Sequence, residues 1–419
     1  MKKLSNKQKL IVFIAILLVA VIIAIVITTS IVNNNQVVNE GYAATSANAG
    51  SNLIANYILN GITIGGVTGK MDVLDTSDAT ATPEDIEWGE TAYVNGKKIT
   101  GMRIETVAQG KESQKVFEEN TVLIDDYGNK VKVPEGFKIS EDSATGVTGG
   151  VVIEDVTAKG VTEYTKGSQF VWIPIGDVIK DTNGNKVTIS LGRYTFASDG
   201  TKTLVQLGEE WNQERPISPY YRELVNSNYG NLVAKNLGDF ANRTINSGGY
   251  YLGRYETGDA TATNLARTDS TSDSNPIVSK SGVYPYNYIT QSQASNLCRG
   301  MYNSNNFESD LINSYAWDTA IVFIQEFSGD INYSRDSKLQ DTLAKCGEAT
   351  DGKNNDVRCN IFDMAGNTYE WTTEASSNPY AAPLVYRGGG YAGYYTSDRN
   401  FGGITHSHWA WSARIILYL

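Results

Sequence analysis

The side chains best equipped for chemistry lie near the C-terminus. His406 and His408 are the two histidines of the whole chain, spaced as His-x-His beside Trp409 and Trp411. Alternate imidazoles can ligate a transition metal, but a site needs further donors, and no carboxylate stands close to them in sequence. The three cysteines, Cys298, Cys346 and Cys359, are an odd number, which excludes a complete disulfide framework. Cys346 and Cys359 flank a loop rich in Gly, Asp and Asn; they either pair or, with Cys298, stay as thiols that pack like small hydrophobes. What residues 391–414, YAGYYTSDRNFGGITHSHWAWSAR, do offer is contact area. Tyr, Trp and His bring large surfaces with few rotatable bonds, so they suit binding loops. On that ground Tyr394, Tyr395, His406, His408, Trp409 and Trp411 are candidate ligand-binding side chains.

Such loops need a scaffold. With 419 residues, two or more folded units are expected, and 40 glycines and 25 tyrosines point to short strands and many turns. A formal net charge of -11 disfavours nucleic acid, which binds a basic face. Segments around 122–124, 130–133 and 169–175 are β-branched or aromatic and bounded by Gly, Asn or Asp, as strands should be. Thr290 is placed to cap a helix over 291–302. A second helix is expected over 309–327, where Leu311, Tyr315, Val322 and Phe323 share a stripe. Residues 413–419, ARIILYL, read as a closing strand.

The N-terminal half is organised differently. Lys2, Lys3, Lys7 and Lys9 precede 23 uncharged apolar residues at 10–32, long enough to span a bilayer, for which about 20 residues suffice. The lysines would stay cytoplasmic and the remainder would be exported. The competing reading, a cleaved signal peptide ending near Ala47-Asn48-Ala49, requires a shorter apolar core than this one. A prepilin-type helix lacks its motif here. Residues 33–55 have the composition of a spacer. A weak repeat within 56–115, carrying Asn60-Gly61 and Asn95-Gly96, reads as two β-hairpins with type I′ turns, a small stalk.

The segment 363–371, DMAGNTYEW, then Tyr386-Arg387-Gly388-Gly389-Gly390 and Ser412-Ala413-Arg414, resembles the C-terminal signature of the formylglycine-generating-enzyme (sulfatase-modifying factor) family. QFVWIPI at 169–175 and GGYYLGRYE at 248–256 extend the resemblance, in order, over residues 116–419. It implies an α+β, C-type-lectin-like domain: mixed short-stranded sheets with two helices, following the stalk and the transmembrane helix. It also implies a structural calcium site at Asp363, the carbonyls of Gly366 and Thr368, and Glu370. An acidic turn whose carboxylates bond backbone amides is the alternative reading of the same residues. The family's enzymes place a copper-binding cysteine pair between the positions of Arg387 and Arg414, and iron-dependent relatives use three histidines. This chain has no cysteine in that window and two histidines in all, so the resemblance implies a non-catalytic protein without a redox cofactor. The window also resembles the variable region of diversity-generating-retroelement proteins, whose adenine-directed mutation reaches Asn, Tyr, Ser, Asp, His, Thr, Ile, Phe and Arg, and this resemblance adds Ser397, Asp398, Arg399, Asn400, Phe401, Ile404, Thr405 and Ser407 to the candidate ligand-binding residues.

These readings converge on a single-pass surface protein: cytoplasmic stub 1–9, anchor 10–32, spacer 33–55, stalk 56–115 and binding domain 116–419, displaying a face for a protein or glycan partner. An oxidase of the formylglycine-generating type and a structural envelope component are the alternatives.

Overall fold

The computed structural model describes residues 105–205, 237–262, 275–337, 356–376, 384–390 and 393–419, with shorter stretches within 58–101 and at 221–223 and 343–348. The expected stub, anchor and spacer lie outside the described residues. Among the described residues no helix is long and apolar enough to cross a membrane. The chain divides into two compact units, one formed by residues 1–81 and 92–99 and the other by 82–91 and 100–419.

Short antiparallel pairs make up what is described of the smaller unit. Thr91–Val94 pairs with Lys97–Thr100, and Asn95 and Gly96 both take positive φ, 51° and 72°, as a type I′ turn demands. The other expected hairpin is displaced. Its strands, Thr63–Ile64 and Val67–Thr68, both follow Asn60-Gly61 instead of flanking it, and Asn60 bridges to Gly69.

The larger unit is α+β, with few helices and short strands. Helix α1, Val107–Ser113, opens it: Val107 is buried in the same core as Phe117 and Leu123. Its first turn is closed by Thr106 and Gln109, which cap each other's backbone amides. This core therefore begins earlier than residue 116, because α1 carries no apolar run long enough to announce a helix.

Six strands form the central sheet: β1 (Phe137–Ile139), β2 (Val152–Asp155), β3 (Gln169–Pro174), β4 (Gly249–Gly253), β5 (Glu308–Leu311) and β6 (Ile415–Tyr418). Their spatial order is β5-β6-β4-β3-β2-β1, antiparallel throughout. Strand side chains alternate between faces, and both faces here are covered. Phe170, Trp172, Tyr251, Ile415 and Leu417 enter one core cluster, and Val171, Ile173, Leu252, Ile416 and Tyr418 enter the other. That two-sided burial is why 169–175 and 413–419 read as continuous apolar runs.

Three further helices pack on this frame: α2 (Leu237–Ser247), α3 (Gln291–Gly300) and α4 (Ser314–Phe327). The Thr290 hydroxyl accepts from the Gln293 amide, as its position before α3 predicts. The other expected helix starts late. Glu308–Leu311 forms β5 against β6, and the Asn313 side chain accepts from the Ala316 amide to begin α4. The stripe read as one helix is thus a strand, a cap and a helix. The expected closing strand is likewise divided at Arg414, between Trp411–Ala413 and β6.

A five-stranded sheet carries the C-terminal signature. A short strand at Tyr221–Glu223 is followed in space by β7 (Tyr369–Ser376), β8 (Leu384–Arg387) and β9 (Arg399–Gly402), while β10 (Trp411–Ala413) runs parallel to β7.

Removing the largest apolar side chain at the centre of the first sheet should expose how much that core holds. Trp172→Ala is expected to destabilise the domain by about 3–5 kcal/mol, read as a lower urea midpoint with an unchanged slope, whereas Thr290→Ala at the α3 cap should cost about 1 kcal/mol.

Candidate functional site

The register of the second sheet sorts the signature residues onto two faces. Glu370 lies opposite Arg387 and beside Ser412, and Arg387 lies opposite Arg399. Tyr369 and Trp411, Trp371 and Tyr386, and Tyr386 and Asn400 are the alternate pairs. One face is therefore ionic and the other aromatic.

On the ionic face, α4 supplies Asp318 and β7 supplies Glu374, both fully buried. The Arg387 Nη2 donates to Asp318 at 2.6 Å and its Nη1 reaches Glu374 at 3.4 Å. Arg399 bonds both carboxylates, through Nη2 to Asp318 at 2.6 Å and through Nε to Glu374 at 2.9 Å. Arg193 pairs with Glu374 from outside the sheet and donates to the Ser314 hydroxyl at 2.6 Å. Burial alone would raise both acids, but the guanidiniums outweigh it and hold Asp318 and Glu374 below the usual carboxylate range. Arg387 also donates to the carbonyls of Ser397 and Asp398, which fixes the loop before β9.

Arg399 accordingly leaves the list of ligand-binding side chains. Its side chain is 4% exposed and is turned into the network. The alternation of the strand decides this: Arg399 shares the parity of Arg387 and meets the acids beneath.

A second buried cluster surrounds Arg414, which grips Glu370 through Nε at 2.8 Å and Nη2 at 2.6 Å and donates to the carbonyls of Gly253 and Phe362. Glu256 accepts from the Asn367 amide and the Thr368 hydroxyl. Asp363 accepts from the Gly347 amide at 3.0 Å, and Asp356 from the Tyr333 hydroxyl and the Ala365 amide. Arg414 thus faces the buried carboxyls of Glu370, Glu256 and Asp363, while Asp356 also feels Arg358. Burial pushes Asp363 up to about 7, with Asp356 adding to the effect, pushes Glu370 up to about 7 against the pull of Arg414, and holds Glu256 well above its usual range.

The carboxyls of the expected calcium site already have protein partners: Arg414 bonds both oxygens of Glu370, and Asp363 accepts from a backbone amide, the pattern of an acidic turn, so a hard cation, which takes six to eight oxygens, would share them. Among the described residues no group of three or more His, Cys, Asp or Glu side chains is arranged to hold a metal. Asp363, Gly366, Thr368 and Glu370 form an acidic turn, with Asp363 and Asn367 at positive φ. The glycines after Arg387 let the chain press onto this turn: a Cβ on Gly389 would sit 2.3 Å from the Ala365 carbonyl oxygen, and one on Gly390 2.7 Å from the Tyr369 ring.

The aromatic face runs as a continuous set of ring contacts. Tyr394 meets Tyr369 at 5.7 Å, Tyr369 meets Tyr386 at 5.1 Å, and Tyr386 meets Trp411 at 4.8 Å. His406 and His408 flank Trp411 at 6.1 and 5.4 Å. Each imidazole Nδ1 accepts a backbone amide, that of Gly403 for His406 and that of Ala410 for His408. The histidines are therefore loop clasps as much as contact residues. Trp409 and Trp411 are half-buried and underpin the face. The Trp409 carbonyl accepts from the Asn287 side chain and the His408 carbonyl from the Tyr288 amide.

What projects outward is a subset. Tyr394 and Tyr395 are 41% exposed and Phe401 and Ile404 45%, four of the twelve large exposed apolar side chains among the described residues. Thr405 and His406 are exposed beside them, while Ser397, Asp398, Asn400, Ser407 and His408 are half-buried. The Arg335 guanidinium lies 5.3 Å from the Tyr395 ring, a contact no local sequence signal foreshadowed. Arg193 and Asp318 were equally hidden, being far from the signature in sequence, and Glu374, three residues past Trp371, carried no signal of its own. Cys298, Cys346 and Cys359 are free thiols, and burial raises all three, Cys359 to about 12.

Two solved structures are similar in part. CarF, in its crystal structure, is 11% identical over 41% of this chain and 87% of its own, with a TM-score of 0.29. Treponema denticola variable protein 1 is 12% identical over 41% of this chain and 85% of its own, with a TM-score of 0.26. No protein-family model and no curated protein matches this chain, so the formylglycine-generating-enzyme resemblance rests on its motifs.

The two clusters set opposite pH dependences. Asp363 and Glu370 titrate higher folded than unfolded, so the stability they contribute is full in acid and is lost as pH rises through about 7, and Glu256 is shifted in the same direction. Asp318 and Glu374 titrate lower folded, so their contribution is lost as pH falls through the ordinary carboxylate range. Urea unfolding should show a maximum in mild acid and a decline of a few kcal/mol by about pH 9, a tenfold change in proton affinity being worth about 1.4 kcal/mol. Glu256→Gln should flatten the alkaline decline and leave the acid limb.

Proposed function

We propose that this chain is a membrane-anchored surface protein whose C-type-lectin-like domain binds a protein or glycan partner, without catalysis, through residues 394–411. The observation that carries the reading is that Tyr394, Tyr395, Phe401 and Ile404, close together in sequence, are all exposed on the loops and edge strand that the buried Arg387–Arg399 network anchors. Exposed large apolar side chains concentrated in one anchored segment suit an interaction site, and anchored aromatic side chains lose little entropy on binding. The domain order expected from sequence, anchor then stalk then binding domain, would carry this face away from the membrane.

The residue types across the window favour a diversified face. That reading predicts a neighbouring reverse-transcriptase gene and a near-copy of the 3′ coding segment differing only at adenines; a genome without either would confine the face to a fixed partner. An oxidase of the formylglycine-generating type is disfavoured because Cys298, Cys346 and Cys359 all lie outside residues 387–414 and are protonated at neutral pH. Turnover of a cysteine-containing peptide by copper-loaded protein would reverse that judgement.

Binding of the purified protein to cells or a glycan array tests the reading, since a purely structural component would bind neither. Alanine at Tyr395 should weaken binding by about tenfold or more, the effect of a central aromatic anchor. Trp409→Ala should weaken it as well, by loosening the loop beneath. Unchanged affinity in both variants would place the site elsewhere.

A further inference from the structure

We infer that the outer edge of β9, Arg399–Gly402, receives an extended segment of a protein partner as an added strand, an inference that rests on the reading of this end of the domain as a binding face. Among the described residues the sheet ends at β9. Its register with β8, from Leu384 opposite Gly402 to Arg387 opposite Arg399, uses one side of the strand only. Antiparallel geometry turns the N–H and C=O of alternate residues away from the partner strand, so two of these four residues direct both groups outward. Among the described residues no other backbone bond reaches Asn400, Phe401 or Gly402.

Natural sheets guard such an edge with lysine, proline, inward bulges or a covering loop. Residues 399–402, Arg-Asn-Phe-Gly, contain neither lysine nor proline. The one charge, Arg399, is drawn inward to Asp318 and Glu374, and the side chain left facing solvent is Phe401. The strand's polar row is thus open and its solvent side is apolar. Tyr395 precedes it and Ile404 follows it, both exposed.

These features select among ligand classes. A backbone edge is matched by another backbone, which repeats donor and acceptor along its length; a saccharide offers hydroxyls without that repeat. Exposed Phe401 and Ile404 favour apolar side chains on the incoming strand over sugar rings. Four residues allow few ladder bonds, so the backbone row alone binds weakly, and side-chain contacts with Tyr395, Phe401 and Ile404 must supply the rest.

The test uses the full chain and a displayed library of random linear peptides. The strongest peptide is resynthesised with a single N-methyl group at each position in turn. Strand addition predicts a loss of about tenfold at alternate positions and little change between them, since each methyl removes one hydrogen bond or none. Phe401→Asp should weaken the unmethylated peptide. Hydrogen exchange should show new protection at alternate amides of 399–402. Tolerance of N-methylation at every position, or failure to select any linear peptide, overturns the inference. If a glycan or a folded protein still binds and Tyr395→Ala abolishes it, the binding-face reading stands while strand addition falls. If nothing binds through Tyr395, both fall.

Discussion

Asp318 and Glu374, buried beneath β9 and shared among Arg387, Arg399 and Arg193, fix the geometry of everything at this end of the molecule. Three guanidiniums and two carboxylates out of water are costly to assemble, and losing either acid would leave the arginines uncompensated, so the bonds among them restrict how these elements can pack. Its members come from α4, from β7, β8 and β9, and from the segment after residue 190. Closing the network therefore docks the main helix on the second sheet and sets the register of the edge strand. Because Arg387 also holds the carbonyls of Ser397 and Asp398, the loop carrying Tyr394 and Tyr395 is tied to the same point. The exposed side chains inherit their positions from charges that never meet solvent.

The Arg414 cluster plays the equivalent part on the other side of β7. It binds the start of β6 to the acidic turn, and through the packing of Gly388, Gly389 and Gly390 on that turn it locates the exit of β8. Three of its carboxyls, Glu370, Glu256 and Asp363, share the one Arg414 guanidinium, and burial raises all three. The bidentate grip of Arg414 on Glu370 is what ties 363–371 to the strand that follows Arg414.

Much of this was legible in the sequence, and the failures share a cause. Continuous apolar runs at 169–175 and 413–419 identified strands buried on both faces, and Thr290 identified the start of α3, because those signals are local. The run over 309–327 misled because Leu311 fits a helical stripe and a strand equally; the pairing of β5 with β6 decides, and pairing is not local. At the site, residue type named the right window but ranked its members wrongly. Arg399 reads as a contact residue until the parity of β9 turns it inward, and the acids that receive it stand 81 and 25 positions away.

That parity also limits how freely the window can vary. Replacing Arg399 by Ser or Asn, types the adenine-directed code reaches from the same position, would strand Asp318 and Glu374 with fewer counter-charges and destabilise the domain by several kcal/mol. Gly402 is bound as tightly, since a Cβ there would lie 2.7 Å from the Trp371 ring. Tyr394, Tyr395, Phe401, Ile404 and Thr405 carry no such obligation, because their side chains end in solvent. Variation compatible with the fold is therefore confined to the outward residues of the loops and, within the edge strand, to Phe401. A strand-adding partner would meet the same backbone row whichever side chain stood at that position.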